Sequence, residues 1–553
     1  MNRNVNDMDM NNFAEMLERK LTDTDNLQKT ENGALGFKTT GDKLVDLNFA
    51  ASSLRGADET TIVNKFAEAF NESPQAAVLW LFFARDPRGG MGERRLFRLC
   101  FNHLINVAPK TAAKLACLIP EYGRWDDLIW LAYYNRQDSR IWLTHHNQST
   151  GEGYSSFFRQ ASDCIRSQWQ RDVESYYGSG SEISLLAKWL PSANTSSAKT
   201  RAMAYTVASW LGYTKEQIGR YRKMLSRLRA KLEVVETQMS SNNWDEINYA
   251  GVPSRAGMLY SNAFNNHDHV RYTAFQEKVA RGKAKVNASV LYPYEVCDRY
   301  GGPYAEYCNC YSTLYDQAVE NLWNALPDFT NGKNNNTLVV CDTSGSMYSG
   351  VGNTTAVSVA RSLAIYFAER AKGQFKNCFI SFSRDPKLVR LKSDTLLSKL
   401  HEVEEYSDCS NTDIYKVFSS ILTVALENRL KQKDLPGNVL IISDMEFDAC
   451  NPTYGRKSNT TLFNQIKREY EEYGYKLPRL VFWNVASRTN TIPVKENDLG
   501  VALVSGFSPS VVKMVMSDKL DPKEALYETL TSERYLPILK QMVGTSGWST
   551  ICS

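Results

Sequence analysis

The spacing of hydrophobic residues changes about three fifths of the way along the chain. Before that point, apolar residues recur at steps of three and four in segments such as AAVLWLFFARD, RRLFRLCFNHLINVA and TAAKLACLIPEYGRWDDLIWLAYY. Short breaks rich in Gly, Pro or Asn separate these segments. The pattern predicts an all-helical domain over residues 41–330, after a polar segment at 1–40. Helix pairs joined by short turns indicate a HEAT-like scaffold of repeats, although no fixed period is visible.

The second part of the chain has a different pattern. It follows the polar, Asn-rich stretch DFTNGKNNNT and contains the short apolar runs LVVCD, CFISF, NVLIIS and LVFWNV. Amphipathic helical segments lie between these runs. Strands that alternate with helices predict a doubly wound, parallel α/β domain with C-terminal helices over residues 335–553.

Composition limits the classes of protein to which the chain can belong. A length of 553 residues suggests two to four domains, and the 23% of charged residues is ordinary for a globular protein. We find no apolar run of the roughly 18 to 20 residues that would span a bilayer, and the polar N-terminus does not look like a secretory signal. The 11 cysteines are scattered. We therefore expect a reduced, cytoplasmic protein without membrane contact.

Positive charge is concentrated in one region. The net charge of the chain is only +4, whereas residues 201–300 hold 15 Lys and Arg against 9 Asp and Glu. Two runs, GRYRKMLSRLRAKLE and RYTAFQEKVARGKAKVN, combine basic residues with aromatic ones, as binding to a nucleic-acid backbone requires. The alternative is a solvated helical face. The candidate RNA-binding residues are Arg220, Arg222, Lys223, Arg227, Arg229, Lys231, Arg281, Lys283 and Lys285.

The stretch LVVCDTSGSMY predicts a metal site. Its apolar part is typical of a buried strand, and the loop that follows carries Asp342, Ser344 and Ser346 at alternate positions. Two other loops add Thr412 and Asp444, and ligands gather at the carboxyl ends of strands in open parallel sheets. Hard oxygen ligands suit Mg²⁺ or Mn²⁺.

These five residues resemble the metal-ion-dependent adhesion site of von Willebrand factor A domains. The resemblance implies that Ser344, Ser346 and Thr412 contact the cation directly and that Asp342 and Asp444 act mainly through bound water. Such a cation keeps one position open for a carboxylate from an acidic protein partner. Asn411 departs from the pattern, because a glycine often precedes the threonine.

The whole chain resembles a family of TROVE-like proteins related to the Ro ribonucleoproteins, whose helical repeats close into a ring. The resemblance spans roughly residues 40 to 545 and rests on five segments: RDPRGGMGERRLF, PEYGRWDDLI, LLAKWLPSANTSS, VPSRAGMLYSNAFNNHD and VSGFSPSVVKMV. It implies binding of small structured RNA. No individual RNA contact of Ro proteins can be transferred to this sequence.

We therefore expect a non-catalytic RNA-binding protein with a divalent-metal site. The alternative is a metal-dependent protein-interaction adaptor, or a structural component, without RNA. A metal-dependent phosphoesterase ranks last, because all six histidines lie outside the three metal-site loops. Residues 85–95 are interpreted as a basic turn between helices, and Asp126 and Asp127 as acidic residues that cap a helix start.

Overall fold

A computed structural model describes most of the chain. The described residues are 26–142, 151–178, 182–302, 311–330, 336–382, 384–406, 410, 412–449, 461–515 and 519–543, without the side chains of 134–142, 151–154 and 513. Asn411 lies outside them. The chain forms two compact units that interleave along the sequence. The sheet unit consists of Met1–Ala57, Tyr292–Tyr315 and Asp328–Thr529, and the helical unit of Asp58–Leu291, Asp316–Pro327 and Leu530–Ser553.

Helices and strands are numbered here along the described chain. The helices are α1 (Lys43–Ala50), α2 (Glu59–Glu72), α3 (Pro74–Arg85), α4 (Arg94–Val107), α5 (Pro109–Leu115), α6 (Ile119–Tyr122), α7 (Trp125–Trp142), α8 (Gly151–Tyr177), α9 (Leu186–Trp189), α10 (Ala198–Trp210), α11 (Ile218–Lys231), α12 (Val235–Ser240), α13 (Ser254–His267), α14 (His269–Ala280), α15 (Pro293–Cys297), α16 (Gln317–Asn324), α17 (Ala356–Arg370), α18 (Leu396–Glu404), α19 (Ile414–Glu427), α20 (Leu462–Glu472), α21 (Val512–Val515), α22 (Pro522–Leu530) and α23 (Leu536–Val543). The strands are β1 (Leu27–Lys29), β2 (Leu35–Phe37), β3 (Thr337–Asp342), β4 (Gly350–Val351), β5 (Thr354–Thr355), β6 (Cys378–Phe382), β7 (Lys387–Arg390), β8 (Asn438–Ser443), β9 (Arg479–Asn484) and β10 (Val501–Ser505). None of the described helices combines the length and the apolar character that crossing a membrane requires.

The helical unit confirms the helical character predicted from the spacing of apolar residues. In α4, the buried side chains fall on one face at Leu96, Phe97, Cys100, Phe101, Leu104 and Ile105. Helix α3 is buried nearly all round, because it packs between α2, α4 and α23. Its Phe82 meets the rings of Phe97 and Phe101 in edge-to-face contacts with centroids 5.8 and 6.1 Å apart. Aromatic packing therefore holds this core together.

The C-terminal helix α23 belongs to the helical unit, not to the α/β domain in which the sequence interpretation placed it. Arg534 forms a two-pronged ion pair with the buried carboxylate of Asp86, in which the Nη2 to Oδ1 distance is 2.7 Å. The Tyr122 hydroxyl donates a hydrogen bond to the Arg534 carbonyl at 2.6 Å. A composition-based boundary cannot find such an exchange, because it depends on pairing between residues more than 400 positions apart.

The sheet unit contains a mixed six-stranded sheet with the order β10-β9-β8-β3-β6-β7. All neighbouring pairs are parallel except β6 with β7. This arrangement confirms the predicted α/β character and corrects the prediction of an all-parallel sheet. Strand β7 lies at the edge and buries only Val389 of its four residues, so its sequence, KLVR, lacks the unbroken apolar run of a central strand.

The N-terminal part of the sheet unit contains two strands within the stretch 1–40, for which the sequence predicted only a polar segment. Strands β1 and β2 form an antiparallel hairpin. Isolated bridges join Gly33 to Asp448 and Phe37 to Ile492. Helix α1 follows and packs against β10. The hairpin was missed because its strands have only three residues each, too short for a periodic pattern.

Candidate metal and RNA sites

The five predicted metal ligands lie at the carboxyl end of the central strands. Asp342 is the last residue of β3, and Asp444 directly follows β8, the parallel neighbour of β3. The Ser443 hydroxyl donates to Asp342 Oδ2 at 2.6 Å and thereby ties the two strand ends together. The loop that carries Thr412 is connected to the Asp342 loop by a hydrogen bond: the Gly345 amide donates to the Ser410 carbonyl at 3.3 Å.

The hydroxyl groups of this loop are arranged around the two carboxylates. The Ser344 amide donates to Asp342 Oδ1 at 2.9 Å, which bends the chain back toward the strand end. The hydroxyls of Ser344 and Ser346 are 3.2 Å apart, and the nearby Ser346 hydroxyl counteracts the rise that burial causes in the pKa of Asp444. Thr412 is buried, and its amide donates to Asp448 Oδ2 at 3.0 Å. The side chains of Asp342, Ser344, Ser346 and Asp444 therefore meet, and Thr412 lies on the adjoining loop.

The site places two carboxyl groups in a buried environment. Asp342 and Asp444 are both fully buried. Burial, followed by the charge of Asp444, raises the pKa of Asp342 to about 7, and burial raises the pKa of Asp444 as well. Asp444 Oδ2 accepts no hydrogen bond from the described residues, and the Arg488 guanidinium forms a long ion pair with it at 3.6 Å.

The donor set fits a hard divalent cation. It offers carboxylate and hydroxyl oxygens, the ligand types that Mg²⁺ prefers, together with an unsatisfied buried acceptor and charge that a cation would neutralise. Among the described residues, no cluster of three or more His, Cys, Asp or Glu side chains could hold a metal.

The sequence interpretation missed Glu446, which lies beside the site and fixes the loop that carries Asp444. This carboxylate is fully buried and accepts hydrogen bonds from five donors: the amides of Glu31, Arg488 and Thr489 and the hydroxyls of Ser487 and Thr489. Its backbone amide donates to Asp444 Oδ1 at 3.2 Å. The sequence did offer a signal for this role, because Glu446 lies between the apolar residues Met445 and Phe447 in DMEFD.

The hairpin turn between β1 and β2 covers one side of the site. Asn32 donates to the Glu446 carbonyl at 2.6 Å and approaches the Thr412 hydroxyl at 3.4 Å. Glu31 pairs with Arg488 at 2.5 Å. The polar N-terminal sequence did not indicate that Glu31 and Asn32 lie beside the candidate metal site.

The first basic run forms α11 and is less uniform than its sequence suggested. Its buried face consists of Tyr221, Met224, Leu225 and Leu228. Arg220, Arg222, Lys223 and Arg227 are exposed, and the hydroxyl of Tyr177 accepts a hydrogen bond from Arg227 at 3.0 Å. The exposed residues lie opposite the buried face, as a phosphate-binding surface would require.

Arg229 and Lys231 have a different environment from these four. The Arg229 guanidinium donates to the Ala187 carbonyl, the Leu190 carbonyl and the Ser192 hydroxyl at 2.6 to 2.9 Å. The Lys231 ammonium reaches the Ser175 carbonyl at 3.4 Å. Arg229 therefore ties α11 to the end of α9, and the structure favours a structural role for it over the predicted RNA contact.

The second basic run does not join the first. Arg281, Lys283 and Lys285 follow α14 and are exposed, with Arg281 paired to Glu277 at 3.2 Å. Helix α14 packs on α13 and α16, whereas α11 packs on α8, α9 and α10. The two runs thus belong to different helix groups within the helical unit.

Comparison with known proteins finds two matching family models and a viral relative. Residues 336–541 match the model of a Domain of unknown function (DUF7788), and residues 146–328 match a Domain of unknown function (DUF2828). An uncharacterised protein of Acanthamoeba polyphaga mimivirus is 29% identical over 538 residues, which cover 91% of this chain and 87% of the viral one.

A solved structure is also similar over much of its length. The crystal structure of the Deinococcus radiodurans RO (RSR) protein matches 87% of this chain and 92% of its own, with a TM-score of 0.32 and 13% identity. A score this low does not establish a common fold.

Proposed function

We propose that the protein is a non-catalytic, Ro-type RNA-binding scaffold. The observation that carries the proposal is the exposed face of α11. Arg220, Arg222 and Lys223 project into solvent there and form no ion pair with any described acidic residue. Arg220, Lys223 and Arg227 follow one another at steps of three and four, so they form one stripe along the helix. A stripe of exposed cations that form no ion pair with a described acidic residue suits the phosphates of a small structured RNA.

In this proposal the helical unit is a scaffold of stacked helix pairs, and the sheet unit is a von Willebrand factor A-like domain. The strand order, with five parallel strands and one antiparallel edge strand, supports the second assignment together with the D-T-S-G-S loop. Asp342, Ser344, Ser346, Thr412 and Asp444 would hold a Mg²⁺ or Mn²⁺ ion. A bound cation would supply a binding position for a carboxylate of an acidic partner.

Purification without nuclease tests the proposal. The wild-type protein should carry discrete small RNAs, seen in the ratio of absorbance at 260 and 280 nm and identified by sequencing. The stripe variant, Arg220→Gln/Lys223→Gln/Arg227→Gln, should lose them, because each substitution removes one cation from the stripe. The control variant, Lys372→Gln/Lys376→Gln/Lys433→Gln, removes the same charge from exposed positions in the sheet unit and should keep them. Wild-type protein free of RNA and without RNA affinity would refute the proposal.

A metal-dependent protein adaptor is the second candidate, and the buried Oδ2 atom of Asp444, which accepts no hydrogen bond from the described residues, favours it. It predicts capture of partner proteins that requires Mg²⁺ and an acidic residue on the partner, and that ignores nucleic acid. A pull-down with Mg²⁺ or with EDTA, using wild type and Asp342→Asn, separates this candidate from the first. Capture that is unchanged by EDTA and by the substitution would exclude the adaptor.

A further inference from the structure

One positively charged side chain stands at the candidate metal site. The Arg488 guanidinium places Nη2 3.6 Å from Oδ2 of the buried Asp444. Its Nε pairs with Glu31 Oε2 at 2.5 Å. Among the described residues, no other cation pairs with Asp342 or Asp444. The guanidinium is therefore shared between a carboxylate of the site and a carboxylate beside it.

The main chains of Arg488 and Glu31 are fixed by one side chain. The Glu446 carboxylate accepts from the Arg488 amide through Oε1 and from the Glu31 amide through Oε2, both at 2.8 Å. Arg488 belongs to the loop after β9, and Glu31 to the turn between β1 and β2. Strand β9 runs parallel to β8, so the loops that follow these two strands lie at the same edge of the sheet. With both main chains held, the two side chains are the parts that can move.

The guanidinium can leave Asp444 without unfolding its surroundings. The Arg488 side chain is 40% exposed and that of Glu31 is 55% exposed, whereas the Asp444 side chain is fully buried. Glu31 therefore offers Arg488 an ion pair on the solvent side of the site. A divalent cation bound by Asp444 would repel the guanidinium, because charges about 4 Å apart interact more strongly at a protein surface than in bulk water.

We propose that Arg488 competes with the metal cation for Asp444 and that Glu31 determines how strongly it competes, an inference that rests on the metal site of the proposed function. In the metal-free protein, the guanidinium supplies positive charge to Asp444 Oδ2, the buried acceptor that no described donor satisfies. Arg488 gives up Asp444 and keeps Glu31 when Mg²⁺ or Mn²⁺ takes the site. The metal affinity is therefore lower than the oxygen ligands alone would provide.

The test measures the affinity of the full-length chain for Mn²⁺, with the free ion counted by its electron paramagnetic resonance signal. The two variants are Arg488→Gln and Glu31→Gln. Their controls are Lys467→Gln and Asp498→Asn, which remove the same charges from another partly exposed ion pair, at 2.7 Å. Asp498 precedes β10, which is parallel to β9, so the control pair lies at the opposite edge of the sheet from the metal site.

The two variants should change the affinity in opposite directions. Arg488→Gln should bind Mn²⁺ about tenfold more tightly than the wild type, because the competing charge is gone. Glu31→Gln should bind it about tenfold more weakly, because the guanidinium loses its other partner and turns to Asp444. The controls should stay within about twofold of the wild type, since exposed charges at a distance are screened by salt. A merely structural ion pair would not produce opposite shifts.

The metal-free protein provides a second readout. In EDTA, Arg488→Gln should have a thermal midpoint about 2 °C below that of the wild type, because Asp444 loses its paired cation, and saturating Mn²⁺ should close the gap. Arg488→Lys covers the case in which Arg488→Gln does not fold. One ammonium group cannot serve Glu31 and Asp444 together as the planar fork does, so this variant should also bind Mn²⁺ more tightly than the wild type.

The outcomes separate this inference from the proposed function. Mn²⁺ binding that is the same in the wild type, Arg488→Gln and Glu31→Gln, and is lost in Asp342→Asn, would overturn the competition and leave the metal site in place. Weaker binding by Arg488→Gln would also overturn the competition. Absence of Mn²⁺ binding in the wild type and in Arg488→Gln would refute the metal site itself, and the inference with it.

Discussion

Replacing Glu446 with alanine tests how the sheet unit holds its candidate metal site. The Glu446 carboxylate accepts hydrogen bonds from five donors, three of which are backbone amides. These amides lie 2.8 to 2.9 Å from the carboxylate oxygens, and none of them has a closer acceptor among the described residues. An unsatisfied donor costs about 1–3 kcal/mol, and the two hydroxyls can turn toward water. Taking about 1 kcal/mol for each amide, we expect the variant to lose about 3 kcal/mol of local stability.

Hydrogen exchange measured by mass spectrometry is the assay, because it reports opening of individual strands rather than of the whole chain. Peptides that cover β3 and β8 should exchange about 100-fold faster in Glu446→Ala, since about 1.4 kcal/mol corresponds to a factor of ten. Glu402→Ala is the matched control. Glu402 accepts from only two donors, the Lys392 amide at 3.0 Å and the Ser393 hydroxyl at 2.7 Å, and is partly exposed. Exchange in the Glu446 variant within threefold of the wild type would refute the reasoning.

Three further predictions concern metal binding, the basic helix and a thiol. At a Mg²⁺ concentration ten times its Kd, the free energy of unfolding of the wild type should be about 1.4 kcal/mol higher than in EDTA. That of Asp342→Asn should not change with Mg²⁺, and an equal rise in the thermal midpoint of both proteins would contradict the site. Arg229→Gln should lower the free energy of unfolding, measured in urea, by about 2–3 kcal/mol, because Arg229 donates to buried acceptors. Arg222→Gln should lower it by less than about 0.5 kcal/mol. Similar values for the two variants would contradict the structural role of Arg229. The side chain of Cys164 lowers the pKa of Cys117 to about 7, so the rate of alkylation by iodoacetamide should have its midpoint near pH 7. Cys164→Ala removes the donor and should move the midpoint above pH 8, and an unchanged midpoint would contradict the pairing.

The features that could be predicted from the sequence are those carried by local pattern. The buried strands β3, β8 and β9 are unbroken apolar runs, and the loops after β3 and β8 begin with the aspartates that the fold brings together. The amphipathic spacing of α11 likewise predicts which side is buried. Such features need no knowledge of the rest of the chain, because period and strand-end position determine them.

The features that could not be predicted depend on distant pairing. Glu446 looks like a surface acid until the amides of Glu31 and Arg488 are placed beside it. Arg229 is indistinguishable by sequence from Arg222, although only the first meets carbonyl groups from the α9 segment. The same holds for Arg124, whose guanidinium lies over the ring of Trp189 from a distant segment. Side-chain roles of this kind follow from tertiary contacts, which the local spacing of residues does not reveal.

The salt dependence of RNA binding tests the central claim most directly. Anisotropy titrations with the RNA recovered from the wild type, or with a structured oligoribonucleotide, should show affinity falling steeply between 50 and 500 mM KCl. The stripe variant, Arg220→Gln/Lys223→Gln/Arg227→Gln, should bind more weakly, and its plot of log affinity against log salt should be shallower by about 2 to 3, because three phosphate contacts are lost. Its slope and affinity would equal those of the wild type if the exposed face of α11 were only solvated surface, and that result would contradict the account.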